Sequence, residues 1–126
     1  MIVWVADAAG AALFPVASHG YDPRVVARLG AIPRDAVNLT AAALRDGALH
    51  TSPAHESTAA AVAAPLSGRG GVAGVLSVEL NHGVDLRPSA GHLATIVAAQ
   101  LATLVAPRAD APAEDDAAPP AQQQAL

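Results

Sequence analysis

Residues 65–80, PLSGRGGVAGVLSVEL, place four glycines, Gly68, Gly70, Gly71 and Gly74, within seven positions. Such a run is either a loop that cradles phosphate or a tight turn between strands, and the choice separates a nucleotide enzyme from a chain without chemistry of its own. A phosphate cradle needs a helix directly after the glycines, because the anion sits on the amides and dipole of that helix's N-terminus. Here the glycines lead instead into Val72, Val75, Leu76, Val78 and Leu80, a β-type run with no helical period. The spacing does not fit a Walker A loop, and the sequence has no lysine to meet a phosphate. Gly70-Gly71 suits the positive φ of a hairpin loop, so the stretch reads as two strands and a turn.

Alternation along the second strand puts Val72, Leu76, Val78 and Leu80 on the face of Gly74, and Ala73, Val75, Ser77 and Glu79 on the other. Gly74, inside a strand, marks a bulge or a place where another backbone comes close. The second face is small and polar. Beside Ala59, Ala61 and Ala63 of the partner strand it leaves a shallow hollow, which either holds a ligand or lets crossover helices pack closely.

Upstream, Ile2 to Val5 and Leu13 to Ala17 are apolar runs separated by Asp7 to Gly10, the pattern of a further hairpin, with Pro15 pointing to an edge strand. Asp22 as N-cap, Pro23 at the first helical position and Gly30 beyond the end predict a short helix. After a break at Pro33, a second short helix is capped by Asn38 or Thr40 and stopped by Gly47, with a brief strand over 48–51. Strands are expected over 59–66 and 72–80. In residues 88–107, Leu93, Ile96, Val97, Leu101, Leu104 and Val105 recur at helical spacing as one apolar stripe. The order predicts an α+β fold on an antiparallel sheet.

Composition bounds the function. The 126 residues suffice for one domain, and 52% are hydrophobic, but 33 are alanine, so the core is built from small volumes. All seven basic residues are arginines and they are scattered; with Trp4, Tyr21 and Phe14 as the only aromatics, no basic stripe or stacking platform speaks for direct nucleic-acid binding. The absence of cysteine removes disulfides, thiolate catalysis and thiolate-held metals. No leader pattern follows Met1 and no long apolar run predicts a membrane span, so a cytoplasmic protein without membrane contact is expected. From Pro107 onward the prolines, the acids at 114–116 and the glutamines at 122–124 predict a disordered tail, dividing the chain into a domain over 1–106 and a tail over 107–126.

The succession IVWVAD (2–7), VASHGY (16–21), IPRDAVNLTAAALRDG (32–47), AVAAPL (61–66), GVAGVLSVEL (71–80) and ATIVAAQLATLV (94–105) resembles the GAF domain, a small-ligand sensing and dimerisation module found ahead of signalling outputs. The resemblance implies a six-stranded antiparallel sheet with a C-terminal helix on one face, and short crossover helices and a pocket on the other. Three departures qualify it. The N-terminal helix usual in such domains is not seen ahead of the first strand. The asparagine-lysine-phenylalanine-aspartate-glutamate signature of the cyclic-nucleotide branch is missing. So are the cysteines of the bilin-carrying and methionine-sulfoxide-reducing branches. A covalent chromophore and that reductase activity are therefore not expected, and no cofactor is.

Five histidines, His19, His50, His55, His82 and His92, show no metal-ligand spacing. His50 and His55 flank the crossover loop that would roof a GAF-type pocket. Asn38 and Thr40 serve either as helix caps or as ligand contacts, and Tyr21 either as a lid or as a surface residue. With Ser77 and Glu79, these seven make the candidate ligand-binding set. No nucleophile elbow or paired carboxylates are present, so neither catalytic nor metal-binding residues are assigned. The expected function is a non-catalytic sensory domain. It would bind a small, mainly uncharged or anionic molecule and relay it to a signalling partner or output domain, as a homodimer or with that partner. The alternative is a ligand-free structural dimerisation module.

Overall fold

The computed structural model describes residues 1–81 and 85–105; the expected tail over 107–126 and His82 lie outside them. The elements in chain order are β1 (Ile2–Ala6), β2 (Ala12–Ser18), α1 (Pro23–Ala27), β3 (Ile32–Pro33), α2 (Leu39–Asp46), β4 (His50–Ser52), β5 (Ala61–Gly68), β6 (Gly71–Glu79) and α3 (Pro88–Val105). The strands form one antiparallel sheet ordered β3-β2-β1-β6-β5-β4. Two hairpins, β1–β2 and β5–β6, thus meet along β1 and β6 at its centre. The glycine run is the β5–β6 turn: Gly68 pairs with Gly71, whose φ of 106° no residue with a side chain adopts easily.

Two bulges set which side chains face which layer. In the β5–β6 pair, Leu66 lies opposite Gly74 but Ser67 lies opposite Val72, so Ala73 is an extra residue. This corrects the expected alternation: Val72 turns to the side of Val75 and packs there, away from Leu76. In the β1–β2 pair, Val3 opposes Ala17 and Trp4 opposes Pro15, leaving Val16 extra. β3 pairs only with Ala12 and Leu13, so Pro15 needs no outer partner, which is why a proline fits there.

The helices form where their caps say they should. Asp22 Oδ1 accepts the Arg24 N–H at 2.8 Å, and Asn38 Oδ1 accepts the Ala41 N–H at 2.8 Å. Gly47 closes α2 in the left-handed region at φ 62°. Thr40, the other cap considered for α2, lies inside it. Arg45 then ties the crossover down, its guanidinium donating to the carbonyls of Arg34 and Ala36, each at 2.8 Å.

The sheet carries a core on each side. On one, Val3, Val62, Leu66 and Leu76 pack against α3; on the other, Ile2, Trp4, Leu13, Ala63 and Val75 pack against Ala43 and Leu44 of α2. The α3 side corrects the expected apolar stripe. The residues α3 buries are Gly91, Ala94, Ala98 and Ala102. Ala98 and Ala102 are 1% and 3% exposed, whereas Leu93, Ile96 and Leu104 are 62%, 58% and 75% exposed. Of the predicted stripe, Leu101 and Val105 pack against the sheet cluster. The bulk between the layers comes from the strands, and the helix meets it with small residues that let the two come close. By length and composition alone α3, with 18 residues and a mean hydropathy of 1.2, could cross a bilayer; its alanine face is occupied by the sheet.

The seam at Gly74 is tight. A Cβ there would lie 2.0 Å from the Trp4 carbonyl oxygen, so β1 and β6 would have to part. Gly74→Ala is expected to cost about 3 kcal/mol and to lower the thermal midpoint by roughly 12 °C or more. Gly70→Ala, with open space around the added carbon, should stay within about 0.5 kcal/mol. Thermal melts of both variants check the pair of values.

Candidate functional site

The β5–β6 register sets Ala61 opposite Glu79 and Ala63 opposite Ser77, and the β1–β6 register sets Ile2 opposite Ser77. With alanine where larger residues would fill the surface, the sheet sinks here. The first turn of α2, with Asn38, Leu39 and Thr40, closes the hollow from above, and Tyr21, in the turn after β2, closes it from the side. The half-open space they border is about 260 Å³.

Polar groups at the hollow are already partly engaged. Trp4 buries its ring at 4% exposure and donates its indole N–H to Ser77 Oγ at 2.9 Å, satisfying a donor that would otherwise be stranded. Asn38 spends its carbonyl oxygen on the α2 cap. Tyr21 donates its hydroxyl to Glu79 Oε1 at 2.5 Å, joining the turn after β2 to the end of β6. Burial first, then the hydrogen bond and the negative charge of Glu79, push the Tyr21 phenol up to about 12. The ammonium of Met1, held by the His19 carbonyl at 2.9 Å, is lowered by burial while Glu79 pulls it the other way.

Of the seven residues singled out in the sequence, Tyr21, Asn38, Thr40, Ser77 and Glu79 line this one hollow. His50 and His55 do not. His50 Nε2 sits 2.8 Å from Asp46 Oδ2, at the far end of α2, and His55 closes a small turn with Thr58. Among the described residues no cluster of His, Asp or Glu could hold a metal ion. Sequence reasoning missed Ile2 and Leu39 as walls, because neither the β1–β6 seam nor the tilt of α2 leaves a local signal. Among the described residues the one formally charged side chain around the hollow is Glu79, and the Met1 ammonium interacts with it.

A second depression of about 250 Å³ lies on the opposite face of the sheet, between it and α3, where Leu80, Ala90, Leu93 and Val97 border it. Val62 and Val78 border both spaces, since β5 and β6 floor each of them.

A six-stranded antiparallel sheet in this order, with one long helix on one face and a helical crossover over a hollow on the other, is the architecture of a GAF domain. The solved structures agree on the fold. The chain superposes on the GAF domain of the Acinetobacter phosphoenolpyruvate-protein phosphotransferase with a TM-score of 0.70 and 21% identity, covering 91% of this chain and 73% of that one. It superposes on the second GAF domain of DevS from Mycobacterium smegmatis with a TM-score of 0.67 and 24% identity, covering 93% and 84%; a further structure of that protein's GAF-B domain gives the same values. No family model matches the sequence, and no curated protein does. The fold is therefore GAF-like.

The Tyr21–Glu79 tie has a pH signature. Because burial first, and then Glu79, raise the folded-state pKa above the ordinary 10, the stability linked to the neutral phenol is fully present below pH 10 and is lost as pH rises toward about 12, with the tie supplying part of it. Absorbance titration of the single tyrosine should give a midpoint well above 10 in the native chain, moving back toward 10 in Glu79→Gln. An unshifted midpoint in the native chain would show that the hydroxyl is not held by Glu79.

Proposed function

We propose that this chain is a non-catalytic regulatory domain of the GAF type, which holds a small molecule in the hollow between β5, β6 and the first turn of α2. One observation carries the reading: Tyr21, Asn38, Thr40, Ser77 and Glu79, from three separate parts of the chain, converge with Ala61 and Ala63 of β5 on a single space of about 260 Å³. Side chains that serve only packing would fill such a space; here small residues keep it open while hydroxyl, amide and carboxylate groups line it. Tyr21 is the closing side of the site and Glu79 its anchor. Occupancy would be relayed to a signalling partner or output domain through the β5–β6 hairpin, on whose other face α3 sits. The solved neighbours, an enzyme's GAF domain and one of DevS, support a regulatory module in general terms.

A fragment titration followed by amide NMR on the full chain tests the site. Binders are expected to shift Ala61, Ala63, Ser77 and Glu79 together. Ala61→Leu, which fills the hollow, should abolish those shifts while leaving the melting temperature within a few degrees. Shifts that persist in Ala61→Leu would place binding elsewhere.

The second reading, self-association with or without a ligand, is favoured by the outward face of α3. Leu93, Ile96, Val97 and Leu104 leave an apolar strip uncovered, and exposed strips of that kind beyond a few hundred Å² mark interfaces. A second copy of α3 is the matching surface. Burying two leucines there contributes roughly 3 to 6 kcal/mol before the cost of association. Sedimentation at ~100 μM should show a dimer, since half-association at that concentration needs only about 5.5 kcal/mol. Leu104→Glu, a position turned away from the sheet, should return a folded monomer. A native chain that stays monomeric at that concentration leaves this reading without support.

A further inference from the structure

We propose that the hollow takes a small alkylammonium cation, with its aliphatic body against Ile2, Leu39, Ala61 and Ala63 and its charged head at Glu79. The inference rests on the reading of the hollow as a ligand site and adds the charge and shape of what enters it. Around the hollow the described side chains are aliphatic, hydroxyl, amide, phenol and one carboxylate, with no arginine or histidine. Only one oxygen of that carboxylate is engaged, Oε1 by the Tyr21 hydroxyl, and Glu79 makes no ion pair among the described residues. Its charge is felt nearby, since it acts on the Met1 ammonium although that group is bonded to the His19 carbonyl.

Two influences oppose it: the Met1 ammonium, which interacts with Glu79 while bonded to the His19 carbonyl, and the first turn of α2, whose N-terminus carries about half a unit of positive charge and attracts anions. One of its free amides, that of Ala41, is already taken by Asn38. Neither the Met1 ammonium nor the helix N-terminus puts a charged side chain into the hollow, where Glu79 is the one charged side chain among the described residues. The walls settle the body of the ligand. Ile2, Leu39 and the two alanines form an apolar side of the hollow, where a short alkyl chain gains by leaving water.

Three probes of one length separate the possibilities: n-butylammonium chloride, 1-butanol and sodium butyrate, titrated into the full chain at equal ionic strength, with the amide shifts of Ala61, Ala63 and Ser77 as readout. Glu79 is at the rim, and a rim ion pair supports about a fivefold preference, close to 1 kcal/mol. Butylammonium is expected to bind about fivefold more tightly than butanol, with butyrate weakest. Glu79→Gln should level butylammonium with butanol and leave butanol unchanged. The net charge of −4 attracts any cation weakly, so a preference that survives Glu79→Gln would trace to that general field and overturn the proposal. Butanol or butyrate binding as tightly as butylammonium in the native chain would also overturn it, while leaving the hollow as a ligand site. If none of the three moves the three amides, both the cation and the site fall.

Discussion

The seam between β1 and β6 governs the rest of the molecule, because it joins a hairpin from the start of the chain to one from its second half. The ladder runs from Ile2 opposite Ser77 to Val5 opposite Gly74, and at its tight end the Trp4 carbonyl occupies the space a side chain on residue 74 would need. Everything on either face is registered by that contact. Val3 points to the α3 side, while Ile2 and Trp4 point to the α2 side. The indole N–H of Trp4 finds Ser77 only because the two strands lie in this register. A slip of one residue would send Trp4 to the wrong layer and leave its N–H unpaired.

The second constraint is the use of small residues where layers meet. β5 carries Ala63 on one face and Ala64 on the other, both fully buried, and α3 meets the sheet with Gly91, Ala94, Ala98 and Ala102. Even Gly91 is close-fitted, since a Cβ there would lie 3.0 Å from Leu49 Cδ2. Each buried alanine contributes less transfer energy than a leucine, and the domain makes up part of the difference through close contact. The same economy on the other face leaves the hollow: where Ala61 and Ala63 meet Ser77 and Glu79, nothing large reaches across to α2.

Local chemistry was the most legible part of the sequence. Asp22 and Asn38 declare their caps, Gly47 and Gly71 declare positive φ, and the glycine run declares a turn because it leads into a β-type stretch. The order of segments carried the GAF resemblance. Three features were beyond such reading. β3 is Ile32–Pro33 alone, and a proline in two residues reads as a break. Gly74 signalled a bulge or a close backbone approach, and both occur there, but not that the extra residue is Ala73, which moves Val72 to the other face. In α3 the large residues draw the eye to the wrong side, since alanine is so common in this chain that a stripe of it carries no contrast. At the site, Ser77 and Glu79 were reached from β-strand alternation, Asn38 and Thr40 from capping, and Tyr21 from its polar tip near the crossover. His50 and His55 could not be sorted from them, because their neighbours are set by how far α2 carries the chain before β4 begins.

The two spaces on opposite faces are coupled by geometry. β5 and β6 are one backbone layer, with Ala61, Ala63, Ser77 and Glu79 toward the hollow and Val62, Ala64, Leu76 and Val78 toward α3. Side chains that alternate along a strand share peptide units, so a body that spread Ala63 from Ser77 would also strain the Val62–Val78 pair on which α3 rests. Close-packed layers do not absorb such a change by compressing; they shift as units or reject it. Glu79 stands at the end of β6 and holds Tyr21, which belongs to the chain entering the crossover, so the tie joins that strand to the crossover. A group that took Glu79 from the Tyr21 hydroxyl would free one side of the hollow while loading the strand that floors both spaces.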